Sequence, residues 1–395
     1  MEVKRKKYLE KLDGYRDKKL IKVVTGIRRC GKSTLLLQYR EQLLESGIKK
    51  EQIQTYNFED VDMPSDYKTI HEIIKKKLIA EKMNYIFLDE VQYIENFERL
   101  LVGLQTKENV DLYVTGSNAH MLSSEMATLL SGRAIEITML PFSFMEYLEA
   151  TMDSEKSREQ KFNDYLSFGG FPQAVSIFEA NSDDVDLYLS SIYDTIVGRD
   201  ILTREDSISR TTLDKVVRYL LDNIGSSTSI NSIAEQLGLT RYKVEQIVEA
   251  LKASFLFYRL DRLDVKGKEI LKTQEKYYAV DMGMRWSILG RDANMDKGHI
   301  LENIIYLELL RRGAKVSVGK VGEKEVDFVV RGTDGYISYY QVAWSVANEE
   351  TMAREMTPFR KIQDFNQRFI LTMDAGEWAV DGVRVMNIID WLTEK

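Results

Sequence analysis

The eight residues Gly26-Ile27-Arg28-Arg29-Cys30-Gly31-Lys32-Ser33 constrain this chain more than any other feature. They match GxxxxGK[ST] without deviation, follow the apolar run Ile21-Lys22-Val23-Val24, and open the helical pattern Thr34-Leu35-Leu36-Leu37-Gln38. A strand, a glycine loop and a helix in that order belong at the carboxyl edge of a mostly parallel sheet. The glycines let backbone N–H groups wrap a phosphate, and the helix N-terminus adds partial positive charge. Lys32 then reaches the β- and γ-phosphates and Ser33 ligates Mg²⁺. Gly26, Ile27, Arg28, Arg29, Cys30, Gly31, Lys32, Ser33 and Thr34 are therefore the expected ATP-binding segment, with Cys30 a small filler. A chance glycine-rich turn is the competing reading, and the flanking strand and helix weigh against it.

The first third alternates β-branched or aromatic runs with helical patterns, the look of a parallel α/β sheet. Strands are expected over 20–25, 53–58, 85–89, 111–115 and 134–138, with helices over 32–45, 70–81, 97–106 and 119–130. Tyr85-Ile86-Phe87-Leu88-Asp89-Glu90 ends one strand in two carboxylates. Beside a phosphate loop, Asp89 is expected in the Mg²⁺ shell and Glu90 to polarise the attacking water. Two adjacent carboxylates in that place imply hydrolysis and not binding alone. Ser117 in Thr115-Gly116-Ser117-Asn118 is a candidate γ-phosphate sensor, Asn118 a second, and either reads equally well as a helix cap. Arg133 lies where an arginine finger can be offered to a neighbouring subunit, which implies a homo-oligomer. A helix-end cation is the equal alternative.

Composition removes other classes. The chain has 395 residues, 44 % of them hydrophobic and 30 % charged, which excludes disordered and fibrous types. A net charge of −7 argues against a general nucleic-acid coat. One cysteine and three histidines make neither an internal disulfide nor a zinc cluster. No stretch approaches the ~18 consecutive apolar residues of a membrane span. Lys4-Arg5-Lys6-Lys7 runs into Tyr8-Leu9-Glu10-Lys11 without an apolar h-region, so it reads as a solvated first helix. A cytoplasmic protein is expected, with no membrane partner.

In order, the phosphate loop, Leu88-Asp89-Glu90-Val91-Gln92, Thr115-Gly116-Ser117, Leu130-Ser131-Gly132-Arg133 and Gly169-Gly170-Phe171-Pro172 resemble the prokaryotic AAA-type ATPases that carry a C-terminal domain of unknown function. Gly298-His299-Ile300-Leu301-Glu302-Asn303 and Glu325-Val326-Asp327-Phe328 extend the resemblance over nearly the whole chain. It implies an AAA+ core over 1–140, a helical lid over 141–222, a winged helix-turn-helix over 223–265, and a restriction-endonuclease-like α+β domain over 266–395.

The segment from Ile230 to Val248 has helix-turn-helix spacing, with Gly238 as the turn, Thr240 as a cap, and Leu256-Phe257-Tyr258-Arg259-Leu260 as a wing strand. Arg241, Tyr242, Lys243 and Gln246 offer groups to DNA, whereas Glu235, Glu245 and Glu249 counter them. DNA contact and a plain packing module stand side by side. In the tail, strands are expected over 315–318, 325–330 and 336–343. Glu302, Asp327 and Gln341 fall in the order of a PD-(D/E)xK nuclease core, but Ala343 stands at the lysine place. Lys320 and Lys324 are the nearest substitutes in sequence. A degenerate scaffold or recognition surface is the expectation, since fold does not carry activity. Three functions follow: an ATPase acting on a DNA or protein partner, a slow ATP-dependent switch or scaffold without DNA, and an ATP-regulated nuclease.

Overall fold

The computed structural model describes residues 3–119, 132–180, 184–205, 207–265, 269–291 and 296–394, with backbone alone for 269–273. These residues fall into two compact units, 1–141 with 253–255, and 142–252 with 256–395. The helix expected over 119–130 lies, apart from its first residue, outside the described residues, as does the Leu130-Ser131 part of its motif.

In the first unit, α1 (Lys6–Gly14) precedes β1 (Ile21–Thr25), α2 (Lys32–Glu45), β2 (Ile53–Asn57) and α3 (Tyr67–Lys76). Then come β3 (Asn84–Asp89), α4 (Phe97–Gln105), β4 (Val110–Gly116) and β5 (Ala134–Thr138). The strands form one parallel sheet in the order β2-β3-β4-β1-β5. Strands β1, β3 and β4 are buried along their whole length, as a sheet covered on both faces requires. One face packs Ile21, Val23, Ile86, Leu88, Leu112 and Val114 against Ile70 and Ile74 of α3 and Leu100, Leu101 and Leu104 of α4. On the other, Phe87 and Tyr113 stack at 4.9 Å and Tyr39 of α2 tilts onto Tyr113 at 5.1 Å. Lys22 lies within this buried sheet, and its ammonium bonds Asp111, itself fixed by Tyr113 Oη at 2.7 Å. A buried charge survives only when paired in this way.

The second unit begins with α5 (Phe144–Ala150), α6 (Arg158–Phe168), α7 (Pro172–Ala180), α8 (Val185–Thr195) and a π-helical continuation, Ile196–Leu202. Next are α9 (Arg210–Asp222), α10 (Ile230–Leu237), α11 (Arg241–Ala253), β6 (Phe257–Asp264), β7 (Glu269–Ala279), α12 (Met282–Leu289) and α13 (Lys297–Arg311). Strands β8 (Lys315–Val321), β9 (Lys324–Arg331) and β10 (Ile337–Ala343) follow, then α14 (Glu349–Arg360). The chain closes with β11 (Gln367–Thr372), β12 (Glu377–Val380), β13 (Val383–Asn387) and α15 (Ile388–Thr393). All eight strands make one mixed sheet, β12-β13-β11-β10-β9-β8-β6-β7.

The segment 256–260, expected as a wing strand, runs into β6, which pairs with β7 on one side and, parallel, with β8 on the other, at Arg262↔Val318 and Asp264↔Lys320. Backbone pairing thus joins the segment after the helix-turn-helix to the tail as one sheet. The Gly169-Gly170 turn has its own reason. Gly169 has φ +75°, and a Cβ there would stand 2.0 Å from Asp281 Oδ1. Asp281 accepts the N–H groups of Gly170 at 2.7 Å and Met284 at 3.0 Å, and full burial lifts its carboxyl to about 6.

The fold is α/β with a parallel five-stranded core, followed by an α+β unit.

Candidate active site

Three adjacent strands, β1, β4 and β3, end side by side, and the expected nucleotide residues follow each of them. After β1 the chain turns through Gly26 (φ +141°), Arg29 (φ 65°) and Gly31 (φ +105°) into α2. A Cβ on Gly26 would lie 2.2 Å from the Met139 carbonyl oxygen, so only glycine fits. Lys32 is buried and donates to the carbonyls of Gly26 at 3.1 Å and Ile27 at 3.2 Å, inside its own loop. Ser33 and Thr34, in the first turn of the helix, are exposed. Arg28 turns to Glu59 and Tyr93 Oη, each at 3.4 Å, while Arg29 is exposed. Cys30 packs with Sγ toward the Met139 carbonyl at 3.5 Å, and burial raises its thiol pKa.

Asp89, the last residue of β3, and Glu90 after it are both buried. The Asp89 carboxylate takes hydrogen bonds from the Thr115 and Ser33 hydroxyls, yet burial outweighs them and raises its pKa. Glu90 has φ 56°, a left-handed conformation unusual for its residue type, fixed where its N–H donates to Thr115 Oγ1 at 2.9 Å. Its Oε1 lies 3.9 Å from Lys32 Nζ. Ser117 and Asn118, after β4, are buried. The set therefore holds an ammonium, two carboxylates and hydroxyls on one sheet edge, the groups that phosphoryl transfer uses.

Arg133 is elsewhere. It precedes β5, whose Ala134 pairs with Ile21 and whose Thr138 pairs with Thr25. Its backbone thus sits five strand residues, about 17 Å, from the phosphate-loop end of the sheet. It is exposed, with no side-chain partner among the described residues.

Three residues of this site give little sign in the sequence. Arg5, read as part of a solvated helix, is 2 % exposed and donates to the carbonyls of Cys30 at 3.1 Å and Leu140 at 2.7 Å. Its neighbours Val3, Tyr8 and Leu9 are buried too, so α1 is a packed element. Thr115 bonds both Asp89 and Glu90, and Gln92 bonds both Glu90 and Ser117. The signal for these two was their place inside the motifs; for Arg5, the apolar spacing of Val3, Tyr8, Leu9 and Leu12.

In the second unit, α10 and α11 make the expected helix-turn-helix: Gly238 has φ 64°, and Thr240 Oγ1 caps the Lys243 N–H at 3.3 Å. Two of the four groups expected to face DNA donate hydrogen bonds within the unit. Lys243 donates to the Ser207 carbonyl at 2.6 Å and Gln246 to Tyr242 Oη at 3.1 Å, while Arg241 and Tyr242 are exposed.

The tail residues do converge, around a lysine the sequence reading did not name. Lys276 on β7 places Nζ 3.2 Å from Glu302, 2.8 Å from Glu325 and 4.0 Å from Asp327. Burial opposes its charge, but Glu302, Asp327 and Glu325 prevail and raise its pKa. Burial, then the Glu302 charge, pushes the Asp327 carboxyl well above the usual range. Gln341 turns its amide to the Asp327 N–H and to Glu355, each at 2.7 Å. Among the described residues no three His, Cys, Asp or Glu side chains form a group that could hold a metal ion. Nor is any helix there long and apolar enough to cross a membrane.

Comparison with known proteins agrees with the first unit. Residues 18–148 match the AAA domain family, and residues 159–295 match a domain of unknown function, DUF8612. The Walker-type ATPase of Pyrococcus abyssi has a similar fold, with a TM-score of 0.50 at 13 % identity over 73 % of this chain and 96 % of that one. An uncharacterized protein of Methanocaldococcus jannaschii is 29 % identical over 90 % of this chain and 83 % of its own length. Another, from Haemophilus influenzae, is 35 % identical over 403 residues, 99 % of each chain. On that end-to-end match the chain belongs to the family of the Haemophilus protein, with an AAA domain at residues 18–148.

Proposed function

We propose that this chain binds ATP with Mg²⁺ and hydrolyses it, using the cycle to switch conformation on a protein partner. One observation carries the reading: Lys32, Ser33, Asp89, Glu90 and Ser117 follow three neighbouring parallel strands, with Lys32 Nζ 3.9 Å from Glu90 Oε1. The loop N–H groups and the α2 N-terminus receive the phosphates. Lys32, now resting on loop carbonyls, exchanges them for β- and γ-phosphate oxygens. Ser33 and Asp89, already hydrogen-bonded to each other, fit the hard oxygen ligands of Mg²⁺, which when bound neutralises phosphate charge. Glu90 accepts the proton of the attacking water, and Ser117 donates to the γ-phosphate. The AAA domain match and the Walker-type fold neighbour support this reading.

A protein partner is favoured over DNA because Lys243 and Gln246 are already engaged within the unit and the chain carries net charge −7. The purified chain should hydrolyse ATP at a rate that duplex or single-stranded DNA changes less than ~2-fold. Lys32→Ala should weaken ATP binding at least ~10-fold, the worth of a charge-assisted contact. Glu90→Gln should keep ATP affinity and turn over ~100-fold more slowly. Wild-type turnover in Glu90→Gln removes the assignment of the base, and strong DNA stimulation restores DNA as the partner.

A further inference from the structure

Gln92 lies two residues beyond Glu90, in the 3₁₀ turn Val91–Tyr93. Its Nε2 donates to Glu90 Oε2 and also to Ser117 Oγ at 3.3 Å. Its Oε1 is buried with no hydrogen-bond partner among the described residues. A buried acceptor left unpaired is costly, and in a folded protein it asks for a reason. Turning the amide over offers no escape, because it would set the carbonyl oxygen against the Glu90 carboxylate. The side chain thus gives up one polar atom so that both N–H groups serve Glu90 and Ser117. Nearby backbone is constrained to the same end: Glu90 sits at φ 56°, a strained conformation for its residue type, with its N–H fixed on Thr115.

We infer that Gln92 is a positioning residue for hydrolysis, setting the Glu90 carboxylate and the Ser117 hydroxyl as one unit. The inference rests on the reading of Glu90 as the base. With Oε2 held by Gln92, Oε1 is the oxygen left to take a proton. With its Oγ accepting from Gln92, Ser117 must direct its own O–H proton elsewhere, which makes it a donor for a phosphate oxygen. In the step itself, the water oxygen bonds the γ-phosphorus as the bond to the ADP oxygen breaks. The water proton passes to Glu90 Oε1. Gln92 touches neither atom and acts through the two groups that do.

The test compares Gln92→Ala, Gln92→Glu and Glu90→Gln in the full chain, reading turnover at saturating ATP, ATP affinity and thermal unfolding. Misplacing a catalytic group by about 1 Å costs on the order of 10²-fold. Gln92→Ala should therefore lose 10- to 100-fold in kcat while ATP affinity stays within about 2-fold. Added to Glu90→Gln it should slow turnover by no more than about 2-fold, since residues acting as a unit are not additive. Gln92→Glu keeps size and removes the N–H donors, so it should be equally slow and decides the matter if the alanine variant does not fold. Wild-type kcat in either folded Gln92 variant, beside a slow Glu90→Gln, overturns the inference and leaves the base in place. Loss of kcat only in proportion to lost affinity or melting temperature assigns Gln92 to packing and overturns it too. A Glu90→Gln chain that turns over normally overturns both readings together.

Discussion

Each unit gathers a lysine and a set of carboxylates, and the two lysines are held in different ways. Lys32 rests on the neutral carbonyls of Gly26 and Ile27 and lies 3.9 Å from one carboxylate, beside the exposed Ser33 and Thr34. Lys276 is enclosed by Glu302 and Glu325 at 3.2 and 2.8 Å, with Asp327 at 4.0 Å. An ammonium on backbone carbonyls gives up dipoles when a phosphate arrives and gains full charges. An ammonium among three carboxylates has those charges already. Similar residue types thus leave one site with a cation to offer and the other with its cation spent.

The largest expected effect sharpens the first half of that contrast. If the phosphate-loop site is open, Arg133 of its own chain does not reach the charge that builds on the transferring phosphoryl group, because its backbone lies about 17 Å away along the sheet. A copy of the chain can supply the cation. Arg133→Ala should lose ~10³-fold in turnover and keep ATP affinity, as for a finger given in trans. Turnover per chain should rise with protein concentration. Mixing Arg133→Ala with Lys32→Ala should restore part of the activity, since one mutant's intact loop then meets the other's arginine. Concentration-independent activity without complementation leaves Arg133 a helix-end cation and the site self-sufficient.

The second effect tests whether the tail cluster is closed. Removing the ammonium leaves Glu302, Glu325 and Asp327 facing one another, and breaking a buried pair costs about 3–5 kcal/mol. Lys276→Ala should lose stability of that order at pH 7 by denaturant unfolding. The loss should shrink toward pH 5. Carboxyls whose folded pKa is raised take protons as pH falls, which favours the folded state and removes the repulsion. The unaltered chain should leave plasmid, single-stranded DNA and RNA uncut in Mg²⁺ or Mn²⁺. Cleavage that disappears in Asp327→Ala breaks the comparison, because the cluster is then a working metal site.

The two halves also differ in how legible they were. In the first unit, β1, β3 and β4 read as apolar runs and the motifs sit at their ends, so fold and site both follow from local pattern. The helices from Phe144 to Asp222 were legible for the same reason. What escaped depends on distant pairing. Lys276 in Gln274-Glu275-Lys276-Tyr277-Tyr278 looks like a solvated strand position until α13 brings Glu302 to it. Nothing local says that β6 pairs with β8, over fifty residues on, or that β11, β12 and β13 extend the sheet beyond Ala343. Gln92 closes the motif Leu88-Asp89-Glu90-Val91-Gln92, but its contact with Ser117 is one that only the sheet brings about.

The smallest effect concerns what keeps the open site in shape when no charge fills it. A phosphate loop presents its N–H groups inward, so its carbonyls point outward and need donors. Lys32 answers Gly26 and Ile27, and Arg5 answers Cys30 while its other nitrogen holds Leu140, just beyond the β5 segment that crowds Gly26. Gln38 of α2 in turn fixes the chain before Arg5 through the Val3 carbonyl at 2.9 Å. A basic tail with no part in the fold could be truncated at no cost. This one carries a buried guanidinium whose hydrogen bonds are worth about 1.5–3 kcal/mol. Arg5→Ala should lower stability by roughly 2 kcal/mol and weaken ATP binding several-fold, because the Cys30 carbonyl loses its anchor. Arg5→Lys, with one point charge in place of a fork, should recover less than half. Wild-type melting and affinity in Arg5→Ala would return the N-terminal helix to the solvated appendage its charges suggest.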